Sequence, residues 1–293
     1  MKIFITGAGG FLGKHIIQEL LKEGKHELVV TSLLRDVMDD LDFIPNEDVP
    51  DYDFSTVDVI INCAFPRAAD GKGYADGLKY LDILYRAVEL HKNCGFIDIS
   101  SQSLYSFQRT EAANEDTQLD LGAVYDVGKY CMELLADARL ADHKRVHLRL
   151  ASLIGPKFDQ RIINRFIKKV IAGQDITVTG GQQLFGFLDV RDCAAAICRV
   201  IECWDKIDKT GQVFNIGAED SNSLSRIAEV AVSVGKEYGF SGVAINEIAS
   251  DEWKNTSLDA SKFYEYFGWK PKYRLEDTAR NIYECELLLS QPL

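Results

Sequence analysis

Residues 2–24 constrain the fold of this chain more than any other stretch. Residues 2–6 form a short apolar run, residues 7–13 contain four glycines, and residues 15–21 repeat apolar side chains at helical spacing. A strand, a tight glycine turn and a helix in this order expose unpaired backbone N–H groups and the positive end of the helix dipole. Such a corner can hold a pyrophosphate without any charged side chain, so the stretch predicts a nucleotide site.

The glycines of this turn repeat every third residue. Gly7, Gly10 and Gly13 fit the spacing G-x-x-G-x-x-G, whereas G-x-G-x-x-G fails because Leu12 stands where its third glycine would fall. Glycine lets the backbone come close to a ligand. Taken alone, the turn is also compatible with an ordinary corner between a strand and a helix.

A second motif, Y-x-x-x-K, is formed by Tyr125 and Lys129. Joined to a glycine turn near the N-terminus, it resembles the short-chain dehydrogenase/reductase superfamily and, within it, the extended branch, the NAD-dependent epimerase/dehydratase family of nucleotide-sugar enzymes. The resemblance implies an α/β fold with a Rossmann-type doubly wound parallel sheet and a smaller C-terminal substrate-binding lobe. The implied dinucleotide-binding domain covers residues 1–150 and 184–203, and the interleaved lobe covers residues 151–183 and 204–293.

Composition argues against several kinds of partner. The 293-residue chain has a formal net charge of −12, which speaks against a nucleic-acid or anionic-membrane surface. Its seven cysteines include no C-x-x-C pair, so a reducing cytoplasm is expected. No apolar run approaches the roughly 20 residues of a membrane span. His143 and His147 are four apart in a turn that leads into a predicted strand, and no metal site is predicted there.

The end of the second predicted strand, residues 27–34, bears on the choice of cofactor. An enzyme strict for NAD usually offers an acid to the ribose 2′-OH at this place. Here the chain has Ser32 and then Arg35, a hydroxyl and a cation that could accept a 2′-phosphate. The cofactor is therefore NAD or NADP, with these residues favouring NADP, unless they are ordinary loop residues.

Residues 57–64 predict a third buried strand, nearly continuous in apolar residues. It matches the family's D-x-V-I-x-x-A-A strand. The resemblance implies that the backbone of Ala64 and Phe65 contacts the cofactor near the nicotinamide ribose. The cofactor-binding residues that the resemblance implies are Gly7, Gly10, Phe11, Leu12, Gly13, Ser32, Arg35, Ala64, Tyr125 and Lys129.

The strand predicted at residues 95–101 ends in hydroxyls, at the edge where a parallel sheet binds its ligand. The family places its catalytic hydroxyl four residues before a tyrosine. Ser101 and Tyr105 have that spacing, and Ser100 is the rival assignment. The family's dehydratases follow this hydroxyl with an Asp-Glu pair, and the Gln-Ser at residues 102–103 argues against dehydration.

Tyr125 and Lys129 are neighbours on one face of a predicted helix. A free phenol has a pKa of about 10, and a fixed ammonium nearby lowers it, so Tyr125 could act as a base on a secondary alcohol or return the proton to a ketone. The apolar stripe of the helix is predicted at Val127, Leu134 and Ala138, almost opposite the tyrosine. The alternative is a surface Tyr beside a surface Lys.

The substrate side departs from the family pattern. Ser152 replaces the family's substrate-binding Asn, and Phe185 replaces an Arg that grips the nucleotide diphosphate. A basic stretch at residues 144–169 could supply another phosphate contact through Arg161 or Arg165, unless it is simply a solvated basic face. The predicted substrate residues are Ser101, Ser103, Ser152, Arg161 and Arg165.

These observations predict a cytoplasmic nucleotide-sugar oxidoreductase. A sugar 4-epimerase is expected first, with Tyr125 as base and acid, Lys129 lowering its pKa, and Ser101 hydrogen-bonding the reacting oxygen. A 4-keto-sugar reductase using NADPH is the alternative, and a non-catalytic NAD(P)-binding sensor or scaffold is the second. The resemblance also implies a homodimer formed through the helices at residues 78–90 and 125–138, and no nucleic-acid or membrane partner.

Overall fold

The computed structural model describes residues 1–33, 41–66, 70–209 and 211–289. The strands in this part of the chain are β1 (Lys2–Thr6), β2 (Glu27–Thr31), β3 (Asp42–Phe43), β4 (Val59–Asn62), β5 (Gly95–Ser101), β6 (Arg145–Leu150), β7 (Ser152–Ile154), β8 (Ile176–Thr179), β9 (Leu184–Phe185), β10 (Phe187–Asp189), β11 (Gln212–Ile216), β12 (Asn222–Ser223) and β13 (Ile245–Ile248). The α-helices are α1 (Phe11–Glu23), α2 (Gly71–Glu89), α3 (Val124–Arg139), α4 (Ile162–Ile171), α5 (Val190–Glu202), α6 (Leu224–Glu237), α7 (Ser261–Phe267) and α8 (Leu275–Leu289).

A seven-stranded sheet forms the centre of the fold, in the order β11-β6-β5-β4-β1-β2-β3. Every neighbouring pair in it is parallel. Strands β1, β4 and β6 are almost wholly buried because helices cover both faces of the sheet, and β6 carries Arg145, His147 and Arg149 among its buried residues. The strand order reverses between β1 and β4, and ligands bind at the carboxyl ends of the strands at such a point. The predicted doubly wound α/β fold is confirmed.

Helices α1 and α5 pack together on one face of the sheet, and α2 and α3 pack together on the other. The buried core on the α1 side includes Ile16 and Ile197, and the core on the α3 side includes Tyr85 and Met132. The site region therefore lies between two complete hydrophobic cores, which hold the strand ends in place.

The apolar stripe predicted for α3 is wrong. Val127 and Leu134 are 43% and 49% exposed, and Ala138 is exposed as well. The inner face carries Lys129 and Met132 instead, which are 5% and 0% exposed. Hydrophobic periodicity failed here because the side chains that face the sheet are partly charged and find polar partners there.

A second hydrophobic cluster builds the smaller lobe from α4, α6 and α8 around the parallel pair β8 and β13. The domain boundaries differ from those predicted, since β11 pairs with β6 in the main sheet although the sequence predicts residues 204–293 in the lobe. Phe263 and Phe267 of α7 also pack into the main core. Among the described helices, none is long and apolar enough to cross a bilayer.

Candidate active site

The glycine turn between β1 and α1 leaves no room for side chains. Gly7 has φ +64°, and a Cβ placed on it would lie 2.8 Å from the backbone nitrogen of Ala64. A Cβ on Gly13 would lie 2.5 Å from the carbonyl oxygen of Gly7. The first glycine thus permits a left-handed turn against the end of β4, and the last lets α1 pack directly on that turn.

The N-terminus of α1 is suited to an anion. The helix follows Gly10 without any side-chain cap and has no acidic residue in its first turn. Its first N–H groups and the positive end of its dipole therefore point toward the space over the turn, where an anion would be stabilised. Ser32 lies beside it, accepting a hydrogen bond from the backbone N–H of Gly9 at 3.2 Å. Arg35, predicted as a partner of Ser32, lies outside the described residues.

One cavity of about 770 Å³ runs from this turn across the carboxyl ends of β2, β4 and β5. Its size suits a cofactor-sized ligand. The predicted site residues that line it are Gly7, Gly10, Phe11, Leu12, Gly13, Ser32, Ala64, Ser101, Tyr125, Lys129 and Arg161. The structure thus brings the glycine turn and the predicted catalytic side chains together in the wall of one cavity.

Lys129 is buried and held from two sides. Its Nζ donates to the carbonyl oxygen of Ile99 at 2.6 Å and lies 4.3 Å from the centre of the Phe65 ring. The Tyr125 ring is held edge-on by Phe65 and Tyr74, with centroids 5.8 and 6.1 Å away. The Tyr–Lys pair is thus a constrained part of the cavity wall rather than a pair of surface side chains.

The two candidate hydroxyls of β5 both line the cavity. Ser101 Oγ accepts from the backbone N–H of Ser103 at 3.1 Å and donates to Ser103 Oγ at 2.9 Å. Ser100 Oγ is buried and has no hydrogen-bond partner among the described residues. Ser103 itself is outside the cavity lining, where it orients Ser101.

The predicted substrate residues of the lobe separate into two groups. Arg161 lines the cavity, where its Nε donates to the carbonyl oxygen of Leu153 at 2.9 Å. Arg165 is exposed on α4, and neither it nor Ser152 is among the lining residues. Ser152 instead donates its backbone N–H to Gly186 at 3.3 Å. Of these three side chains, the structure brings only Arg161 to the cavity.

Several residues that line the cavity were not predicted from the sequence. Phe158 stacks on Phe11, with ring centroids 4.1 Å apart and planes inclined by 7°. Tyr80 of α2 places a buried hydroxyl at the wall, and this hydroxyl has no hydrogen-bond partner in the part of the chain that the structure describes. Asn46 lies at the far end, where its Oδ1 accepts from Thr31 at 2.6 Å. No motif or periodicity marks these residues, because the fold brings them to the cavity from separate segments.

Burial makes two titratable groups of this wall poor acids. It raises the pKa of Cys63 to about 12, although Lys129 opposes the rise, and it raises the pKa of Tyr80 to about 12. Both stay neutral at ordinary pH. Within the described ranges, no three His, Cys, Asp or Glu side chains are grouped so as to hold a metal ion.

Comparisons with known proteins agree with this architecture. The family model of the NAD dependent epimerase/dehydratase family matches residues 3–217. A Bacillus subtilis protein named as an uncharacterized UDP-glucose epimerase is 26% identical over 312 residues, covering 96% of each chain. UDP-glucuronic acid decarboxylase 6 of Arabidopsis thaliana is 26% identical over 309 residues, covering 94% of this chain and 86% of its own.

Solved structures show the same fold along the whole chain. The UDP-N-acetylglucosamine 4-epimerase of Bacillus cereus superposes with a TM-score of 0.83 at 20% identity, covering 100% of this chain and 98% of its own. A mutant UDP-glucuronic acid 4-epimerase of Bacillus cereus, solved with UDP-4-deoxy-4-fluoro-glucuronic acid and NAD, superposes with a TM-score of 0.81 at 25% identity, covering 99% and 100%. Because the family model spans well over half of the sequence, the chain belongs to the NAD dependent epimerase/dehydratase family and is an enzyme of the extended short-chain dehydrogenase/reductase type.

Proposed function

We propose that this chain is an NAD(P)-dependent nucleotide-sugar 4-epimerase. The observation that carries the proposal is the single cavity whose wall joins the glycine turn to Ser101, Tyr125 and Lys129. Relatives named as UDP-sugar epimerases and decarboxylases support a nucleotide-linked sugar as substrate.

The dinucleotide would be held mainly by backbone. The start of α1, which follows the glycine turn without a side-chain cap or an acidic residue in its first turn, fits a pyrophosphate. When bound, the nicotinamide supplies hydride transfer. The hydroxyl of Ser32 at the end of β2 supports NADP, whereas the NAD in solved complexes of related epimerases supports NAD.

Tyr125 is proposed as the general base and acid at the reacting sugar oxygen. The buried ammonium of Lys129 favours the phenolate form of Tyr125. The phenolate takes the proton of the sugar 4-hydroxyl, retains it while the keto sugar turns its other face, and returns it to the same oxygen. Ser101 hydrogen-bonds that oxygen throughout, which orients it toward the phenol.

Arg161 is proposed to contact a phosphate of the substrate. It lines the cavity from the start of α4, with its guanidinium carbon 5.1 Å from the centre of the Phe158 ring. Replacing Arg161 with Ala is expected to raise KM about tenfold, because a charge-assisted hydrogen bond contributes about 1.5 kcal/mol or more. The exposed Arg165 is the matched control, and Arg165→Ala is expected to leave KM within about twofold. An unchanged KM in Arg161→Ala would remove this assignment.

Reduction of a 4-keto sugar is the second candidate, and the non-acidic Ser32 supports it through NADPH. A sensor or scaffold without turnover is the third. The convergence of Tyr125 and Lys129 on the cavity speaks against that third role, because a scaffold has no need of a buried ammonium beside a phenol.

A cytoplasmic homodimer is proposed as the working form. The outer face of α3 exposes Val124, Val127 and Leu134, and neighbouring α2 exposes Ile83 at 36%. An apolar patch on two adjacent helices is typical of a subunit interface. Sedimentation should give a dimer for the native chain and a monomer for Leu134→Glu, and a native monomer would contradict the proposal.

Two measurements test the activity. The cofactor of the purified protein is released with acid and identified, since tightly held NAD⁺ supports the epimerase and a site that takes up added NADPH supports the reductase. Tyr125→Phe is expected to keep cofactor binding and to lose about 10²- to 10⁴-fold in kcat on a panel of UDP-sugars. Native turnover in this variant would overturn the base assignment.

A further inference from the structure

Phe65 lies at the junction between the cofactor strand and the Tyr–Lys pair. It follows β4 by three residues and lines the cavity. The family's D-x-V-I-x-x-A-A pattern has alanine where this chain has Phe65. This chain thus places an aromatic ring where the pattern has a methyl group.

The face of this ring covers the ammonium of Lys129. The Nζ atom lies 4.3 Å from the ring centre, which is inside the range of a cation–π contact. The Nζ also donates to the carbonyl oxygen of Ile99 at 2.6 Å. A lysine ends in a compact charge on a flexible stem, so contacts of this kind are needed to fix where the charge lies.

The same ring packs against the phenol. Phe65 and Tyr125 meet edge to face at 5.8 Å and 77°, and Tyr74 closes the group at 6.0 Å from Phe65 and 6.1 Å from Tyr125. These distances and angles are those that aromatic pairs prefer. One ring thus touches both members of the catalytic pair.

Helix α3 is shaped to admit this ring. A Cβ on Gly128 would lie 3.0 Å from Cζ of Phe65. Gly128 lies on α3 between Tyr125 and Lys129, so the helix backbone packs closely on the ring at this point. A larger residue there would push against Phe65.

We propose that Phe65 is a positioning residue that fixes the Lys129 ammonium beside the Tyr125 phenol and excludes water from the side of the ammonium that the ring covers. The inference rests on the proposed function, in which this pair handles the proton. Without the ring, water screens the ammonium and the stem can swing away, so the phenolate loses part of its stabilisation. Removing the ring should raise the pKa of Tyr125.

Several other titratable groups lie near Tyr125 and Lys129. The titratable neighbours are Cys63 at the end of β4 and Tyr74, Asp76 and Tyr80 of α2. Burial raises the pKa of Cys63 and of Tyr80 to about 12, and Lys72 lowers the pKa of Asp76. The thiol and the Tyr80 phenol therefore stay neutral and the carboxylate stays ionised while Tyr125 titrates.

The test compares Phe65→Leu, which keeps apolar bulk but lacks the ring, with the native protein. The phenol is titrated by near-ultraviolet absorbance, and the curve of the matching Tyr125→Phe protein is subtracted so that only Tyr125 remains. We expect the pKa of Tyr125 to rise by about one pH unit, a tenfold smaller phenolate fraction at neutral pH. The acidic limb of the kcat/KM profile should move to higher pH by the same amount. Gly128→Ala, which pushes on the ring, should act in the same direction.

Phe158→Leu is the matched control, since it removes another aromatic ring of the same cavity, on the far side at Phe11. It should leave the Tyr125 titration unchanged. The proposal is overturned if Phe65→Leu loses activity or stability while Tyr125 titrates as in the native protein, because Phe65 would then only pack. The absorbance titration needs no substrate, so it separates this outcome from a failure of the proposed reaction, in which the native protein itself shows no turnover.

Discussion

A buried histidine in the central sheet allows a quantitative prediction of stability against pH. Thr6, Asn62, Asp98 and His147 stand in register on four adjacent strands. Thr6 donates to Asn62 at 2.7 Å, and Asn62 donates to Asp98 at 2.9 Å. His147 Nδ1 lies 3.5 Å from Asp98, and its Nε2 lies 3.3 Å from Asp137 of α3. The imidazole, 1% exposed, thus lies between two carboxylates.

The size of the effect follows from the pKa of His147. Burial alone would lower it, but the carboxylates of Asp137 and Asp98 outweigh burial and raise the pKa of His147 to about 9. An unfolded histidine has a pKa of about 6.5, and each pH unit of difference corresponds to about 1.36 kcal/mol. The charged ring therefore contributes about 3 kcal/mol to the free energy of unfolding. That contribution is complete below about pH 6.5, where both states bind the proton, and is lost as the pH rises toward about 9.

Urea denaturation followed by tryptophan fluorescence measures this loss. The native protein should lose about 3 kcal/mol more than His147→Gln between about pH 6 and pH 9.5, whatever the absolute stability of the variant. His143→Gln is the control, because the ring of His143 faces the backbone carbonyls of Cys94 and Glu89 rather than carboxylates. It should keep the native pH dependence. An equal decline in the native protein and His147→Gln would refute the assignment of a charged histidine.

The remaining predictions concern the turn, a buried ion pair and a thiol. Gly7→Ala should abolish cofactor binding measured by calorimetry, because a Cβ meets the backbone of Ala64 at 2.8 Å and the left-handed conformation costs about 1–2 kcal/mol more. Glu133→Ala should lower the free energy of unfolding by about 3–5 kcal/mol in a urea titration, since it leaves Arg149, bonded to Glu133 at 2.7 and 3.0 Å, buried without its carboxylate. Cys63, with its pKa raised to about 12 by burial, should resist alkylation at neutral pH by mass spectrometry, and rapid labelling would contradict this.

Local signals in the sequence predicted much of the fold. The predicted strand at residues 95–101 agrees with β5. The glycine turn was identifiable from the sequence because its positive φ at Gly7 and its close packing at Gly13 both require glycine. Tyr125 and Lys129 were predicted from the Y-x-x-x-K motif, whose spacing places the two side chains on one face of a helix.

Contacts between distant segments were not predictable from the sequence. The Phe11–Phe158 stack joins the first helix to the lobe, and nothing near either residue encodes the other. The ring of Phe65 gains its role only from its distance to Lys129. Periodicity reports which side chains share a face, but it does not report which partner lies opposite that face.

Helix α3 shows why its orientation was misjudged. Tyr125, Lys129, Glu133 and Asp137 are spaced four apart and form a polar stripe along the side that faces the cavity and the sheet. Lys129 donates to the end of β5, while Glu133 and Asp137 pair with arginines of β6. Breaking such a pair costs far more than the pair itself gains, so a shift of the helix along the sheet would leave several buried charges unmatched at once. The ion pairs distant from the cavity therefore set the register of α3, and that register delivers the phenol and the ammonium to the carboxyl end of β5. This orientation leaves Val127 and Leu134 exposed on the outer face of the helix.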